Sequence, residues 1–363
     1  MDVCFGRAGG KVIWQPRILC WWADREFLGR KRPAPYDRMT YPQMYRHLQC
    51  SNRIYEYNAC FERVEDPRVH VIERRLGELD RELLWQTPAG SQRAVYHRSP
   101  HHRSVVTAKW PICDEADFRV AAWREEHAGW RWNQQKYEQV QAEWGDTGAP
   151  TAYMPRVTVQ DLYINTMGVE QAIFALHDRP AAVEKYFAAL NECHDRLIDV
   201  INESPIRIIN FGDNVHAATL PPELFRKYVL PAYQHRCERL HAAGKFVHAH
   251  WDGDCKPLLP FARDTGLDGI EAITPVPQGD VTPEEVKAAL GDELFLIDGI
   301  PAIYFDRTFS EDVLTECTRR IIELFAPKLI LGISDEISST GEIRRVRLVG
   351  RIVDDYNASL GAA

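Results

Sequence analysis

Between Lys245 and Asp254 the chain reads KFVHAHWDGD, which sets His248 and His250 two residues apart and follows them with Trp251, Asp252 and Asp254. Side chains alternate along a strand, so on a strand both imidazoles leave the same face. Neutral imidazole binds zinc and similar metals. The alternative is one hydrogen-bonded core histidine and one that faces solvent. Other short apolar runs carry acids and imidazoles at the same place. IRIINFGD ends in Asp213 and continues into Asn214 and His216, LDGIEAI holds Glu271, LFLIDGI holds Asp298, and KLILGIS runs into Asp335 and Glu336.

A carboxylate set among Ile270, Ala272 and Ile273 is costly unless a cation or donor meets it, so Glu271 calls for a partner. His248, His250, Glu271 and one of Asp335 or Glu336 form a donor set suited to zinc, with manganese, iron or nickel as alternatives. No thiol joins it, because Cys255 lies past its strand and Cys317 falls inside a helix. Around such an ion, Asp213, Asn214 and His216 are candidates for substrate contact or proton transfer. Asp252 and Asp298 are candidates for orienting ligands. Arg17, Trp22 and Trp251 are candidates for the substrate-binding wall.

These residues need a scaffold that brings strand ends together. From residue 150 onward, short apolar runs alternate with amphipathic helical stretches, as in parallel strands buried on both faces. Asp178-Arg179-Pro180 opens a helix that continues through Glu203, Pro221-Pro222 opens the next, and Thr282-Pro283-Glu284-Glu285 is a capping box. There is no G-x-G-x-x-G turn and no P-loop. The fold expected is a distorted (β/α)8 TIM barrel, whose active site lies at the C-terminal ends of its strands. Its first strand is VIWQP, 12–16. The chain is read as a single barrel domain, 1–363, with an inserted α+β subdomain at 40–147. Within that insertion, 40–57 is predicted helical behind an N-cap at Thr40. Residues 69–98 form strands with a hairpin turn at 87–92, and 123–144 is largely helical.

Bulk properties narrow the class. Of 363 residues, 45% are apolar and 26% charged, and the net charge is -8 with both signs scattered. That offers no footprint for nucleic acid or a membrane surface. Nine single cysteines with no C-x-x-C pair argue against a disulfide framework, and the expected location is the cytoplasm. A homodimer is compatible with this class.

Residues 206–357 resemble the uroporphyrinogen decarboxylase-like superfamily, on the segments FGDNVHAATLPPELFRKYVLP, KFVHAHWDGD, GLDGIEAITP, LFLIDGIP and LILGISDEISSTG. That superfamily includes the tetrapyrrole decarboxylase and the zinc-dependent methyltransferases of corrinoid systems. The decarboxylase carries an arginine-rich R-Q-A-G-R motif after its first strand. Here the place reads WQPRILCWW and keeps one arginine, Arg17. The thiol-alkylating methyltransferases carry H-x-C and a later cysteine. Here His248 matches the histidine, His250 replaces the first cysteine, and Asp335-Glu336 stands at the second. Glu271 falls where related zinc methyltransferases place a glutamate. The resemblance therefore implies a metal-dependent, corrinoid-linked methyltransferase. It would take a methyl group from a small methoxylated or methylated compound and pass it to a corrinoid protein. No Asp-x-His-x-x-Gly segment is present, so the corrinoid would come on another polypeptide. The alternative is a decarboxylase or lyase of the same fold acting on a small carboxylate.

Overall fold

The computed structural model describes residues 1–361. Its residues fall into two compact units, one of 1–58, 135–153 and 206–361, the other of 59–134 and 154–205. Residues 40–58 and 135–147 thus lie in the unit that carries the large sheet.

That sheet has seven parallel strands: β1 (Ile13–Trp14), β2 (Thr151–Met154), β3 (Ile208–Val215), β4 (Phe246–Trp251), β5 (Gly269–Glu271), β6 (Phe295–Pro301) and β7 (Leu329–Ser334). Their order is β1-β7-β6-β5-β4-β3-β2. The two ends of this curled sheet are β1 and β2, and residues 51–54 lie between them. Ser51 N–H donates to the Trp14 carbonyl at 2.9 Å, and Ile54 forms a parallel bridge with Pro150. The ring thereby has eight positions, which is the distorted (β/α)8 barrel that the alternation of elements predicts.

The expected helix over 40–57 is shorter than its apolar pattern suggests. Thr40 caps it with a full capping box, but it runs only from Tyr41 to Leu48 and ends on Gln49, at φ 54. Cys50, Ser51 and Asn52, all weak helix formers, follow. The chain after them is extended, and that carries Arg53 into the barrel. The other caps behave as their sequences predict. Thr282 forms its capping box with Glu285, and Pro180 starts a helix through Glu203.

The base of the barrel is closed by apolar packing. Val3 and Cys4 are buried against Ile208, Phe246, Phe295, Ile297 and Ile330. Burial of this kind contributes on the order of 25 cal/mol per Å². It seals the lumen from below and leaves the C-terminal strand ends as its open side.

The second unit holds a four-stranded antiparallel sheet of His70–Arg75, Asp80–Thr87, Gly90–Arg98 and Val105–Lys109. Its hairpin turns over Pro88-Ala89, within the predicted turn. The expected helix over 123–144 is interrupted. Helices Glu115–His127 and Gln134–Trp144 flank a strand, Gly129–Trp132, that pairs with Phe61–Val64. Trp130 and Trp132 alternate on that ribbon, a period-2 signal that a helical reading of the surrounding charges overrode. Among the described residues no helix is long and apolar enough to cross a membrane.

Candidate active site

Strand pairing sets the site. On β4, His248 is in register with Asn210 on β3 and Gly269 on β5, and His250 with Glu271 on β5. All six residues of β4 are buried. Phe246 and His248 line a small cavity of about 40 Å³, together with Ile208, Gln15 and Arg53. The alternation that puts His248 and His250 inside sends Trp251 outward, where its ring meets Phe225 edge-on at 5.4 Å. Likewise Asp213 on β3 accepts a hydrogen bond from Tyr233 Oη at 2.8 Å, in the helix layer. Neither Trp251 nor Asp213 faces the lumen, contrary to the expectation that they touch substrate. Period-2 alternation is the reason.

Glu271 is the centre of the inner cluster. Its Oε1 lies 2.7 Å from His250 Nδ1, and its Oε2 lies 3.2 Å from His248 Nδ1 and 2.8 Å from an Arg53 nitrogen. Glu271 and Asp298 are fully buried. Burial by itself would raise Glu271, but Arg53 and the two imidazoles outweigh it and hold the carboxyl well below its ordinary range. The cation that the sequence demanded for Glu271 is therefore Arg53, which the helical reading of 40–57 concealed.

Arg53 is held by Gln15, Asp298 and Glu271. Its Nε and NH2 donate to Gln15 Oε1 at 3.2 and 3.1 Å, and NH2 also donates to Asp298 Oδ1 at 3.0 Å. Its NH1 faces Asp298 Oδ2 at 3.4 Å and Glu271 Oε2 at 2.8 Å. Its hydrogen bonds thus go to Gln15 and Asp298, and Glu271 is held as an ion pair. Asp298 is raised by burial and by Glu271, with Arg53 opposing. Asp298 sits at φ 77, and Ala272 and Asn214, at the ends of β5 and β3, sit at φ 66 and 52. Left-handed backbone in non-glycine residues costs of order 1–3 kcal/mol each and gathers at functional sites. Gly332 on β7 makes room for this arrangement, since a Cβ there would collide with the Asp298 carboxylate.

His250 has a carboxylate at each ring nitrogen. Beyond Glu271, its Nε2 lies 3.4 Å from Asp252 Oδ2. Burial would push the imidazole down, but Asp252 and Glu271 raise it to about 9. It therefore carries its proton at neutral pH. His216 sits nearby, its Nε2 3.1 Å from Thr219 Oγ1.

A second group lies at the rim. Arg17 pairs with Asp335, and its NH2 lies 3.6 Å from Glu336 Oε1. Glu336 Oε2 also accepts from the Cys20 backbone N–H at 2.7 Å. The Nε of Arg17 is buried without a hydrogen-bond partner. It lines a cavity of about 100 Å³ with Tyr41, Tyr45, Tyr55, Arg53 and Glu336. Trp22 is one layer back, packed on Tyr41 at 5.4 Å and beneath the Arg32 guanidinium. Asn210 was also missed from sequence. It is fully buried in register with His248, and neither amide atom has a hydrogen-bond partner. An asparagine inside an apolar strand was its only signal.

The expected metal donors are thus divided. His248, His250 and Glu271 meet, while Asp335 and Glu336 are held by Arg17. Among the described residues no group of three or more His, Cys, Asp or Glu is disposed to hold a metal ion. The donor types suit a divalent ion, but the arrangement does not fit one. Glu271 Oε1 and both His250 nitrogens already face partners, and although Glu271 Oε2 and His248 Nδ1 make no hydrogen bond, a fixed guanidinium stands against that oxygen.

Residues 161–338 match the family model described as uroporphyrinogen decarboxylase. Among solved structures, a methyltransferase from Methanosarcina mazei is similar with a TM-score of 0.54 at 13% identity, over 72% of this chain and 75% of that one. D-psicose 3-epimerase from Clostridium cellulolyticum H10 gives a TM-score of 0.36 at 8% identity, over 63% of this chain and 84% of that one, too distant to bear on function. No curated protein matches the chain. The family-model match supports a likeness to the uroporphyrinogen decarboxylase family over residues 161–338, and the methyltransferase likeness shows the fold.

Proposed function

We propose that this chain is an enzyme that moves a methyl group from a small methoxylated or methylated compound to a corrinoid carried by a separate protein. The observation that carries the reading is His250, an imidazolium held between Glu271 and Asp252 at the C-terminal strand ends. The partner's reduced corrinoid supplies the nucleophilic methyl acceptor. This chain's part is to bind the donor and ease departure of its heteroatom. With Nδ1 held by Glu271, His250 gives its Nε2 proton, whose contact with Asp252 is long at 3.4 Å, to that heteroatom as the bond to methyl breaks and the electron pair stays with the leaving group. Glu271 and Asp252 keep the imidazole protonated and oriented beforehand. Arg53 keeps Glu271 ionised, and the free Nε edge of Arg17 meets an acceptor on the substrate. General acid help of this kind is worth about 10²–10⁴-fold. The methyltransferase likeness and the family match support the reading.

The test is a panel of methoxylated and methylamine compounds incubated with the protein and reduced cobalamin, with methylcobalamin followed by its absorbance. Transfer that falls about 10²–10⁴-fold in His250→Gln supports it. Transfer unchanged in that variant removes His250 from the role, and no transfer from any donor removes the reading. A second reading, decarboxylation of a small carboxylate, is favoured by the open donor edge of Arg17. Carbon dioxide release from small carboxylates without cobalamin would select it.

A further inference from the structure

We infer that Arg53 stands in the place of the metal ion, so that the site works with a built-in monocation and takes no divalent ion. This concerns the cation of the site proposed above rather than the group transferred, so the two can fail separately. A cation is required there, because Glu271 and Asp298 are both fully buried. Arg53 is the cation that reaches both acids at once, with one guanidinium nitrogen 2.8 Å from Glu271 and another 3.0 Å from Asp298. It cannot swing aside cheaply, because Gln15 accepts from it twice and it is itself buried. A dication bound to Glu271 would sit against this fixed positive charge, with its other expected acid donors drawn off to Arg17. Removing Arg53 has the opposite consequence. Two buried carboxylates and the His248 ring then surround a vacancy, a donor set of the kind zinc and cobalt take.

The experiment is metal analysis of the full chain after loading with zinc or cobalt and dialysis, on wild type, Arg53→Met, Arg53→Lys and the His248→Ala, His250→Ala double variant. Wild type and Arg53→Lys are expected to hold no stoichiometric metal. Arg53→Met is expected to hold one ion per chain, with the visible absorption of nitrogen- and oxygen-bound cobalt. Stoichiometric metal in wild type that disappears in the double histidine variant overturns the inference and leaves methyl transfer to its own assay. Folded Arg53→Met that takes up no cobalt overturns it as well. If Arg53→Met does not fold, the wild-type measurement decides by itself.

Discussion

Two arginines reach the open end of the barrel, and they are spent differently. Arg53 is hydrogen-bonded to Gln15 and Asp298 and ion-paired with Glu271. Arg17 is paired on one side only and keeps a buried Nε free of partners. Their acids differ too. Glu271 and Asp298 are wholly buried, whereas the Asp335 side chain is 50% exposed. The comparison separates a cation that builds the site from one that can read a ligand. Arg53 has its hydrogen bonds spent within the protein, whereas Arg17 keeps a buried Nε unspent beside a half-exposed acid.

The difference can be broken at several points. The largest expected effect is on Arg53→Met. Stripping the partner from two buried carboxylates should cost about 3–5 kcal/mol, measured by urea unfolding without added metal. A loss below about 1 kcal/mol would mean that the pair behaves like a surface one. Next is pH. His250 is raised from 6.5 to about 9 in the folded chain, so its stabilisation is complete below about pH 6.5 and is lost as pH rises through about 9. The drop should approach about 3 kcal/mol. His250→Gln should flatten the profile over that window, and an unchanged slope would show that another group is titrating.

A smaller effect, of opposite sign, is expected for Asn210→Leu. Removing a buried amide with no partner should stabilise the ligand-free protein by roughly 1 kcal/mol, seen as a rise in Tm of a few degrees. A fall in Tm would show that the amide is bonded within the fold. Arg17→Met should cost less stability than Arg53→Met, because its partner Asp335 is half exposed. That variant should still lose turnover in the methyl-transfer assay. A variant that keeps full turnover would remove Arg17 from substrate contact.

The sequence by itself determined the barrel and the contents of β4. Alternating buried strands and capped helices carry their own local signals, and H-x-H on a strand can only present two imidazoles to one face. Glu271 was legible for the same reason, as an acid in an apolar run that had to meet a cation. The identity of that cation was decided by tertiary structure. Arg53 lies in a segment whose apolar spacing reads as helix, and only the stop at Gln49 and the gap between β1 and β2 make it extended. Trp251 and Asp213 were misplaced by one residue of strand register, which exchanges lumen for helix layer. Local composition fixes which residues are costly to bury. Which opposite charge compensates them depends on contacts between residues hundreds of positions apart, such as Arg53 with Asp298, and no local pattern encodes those.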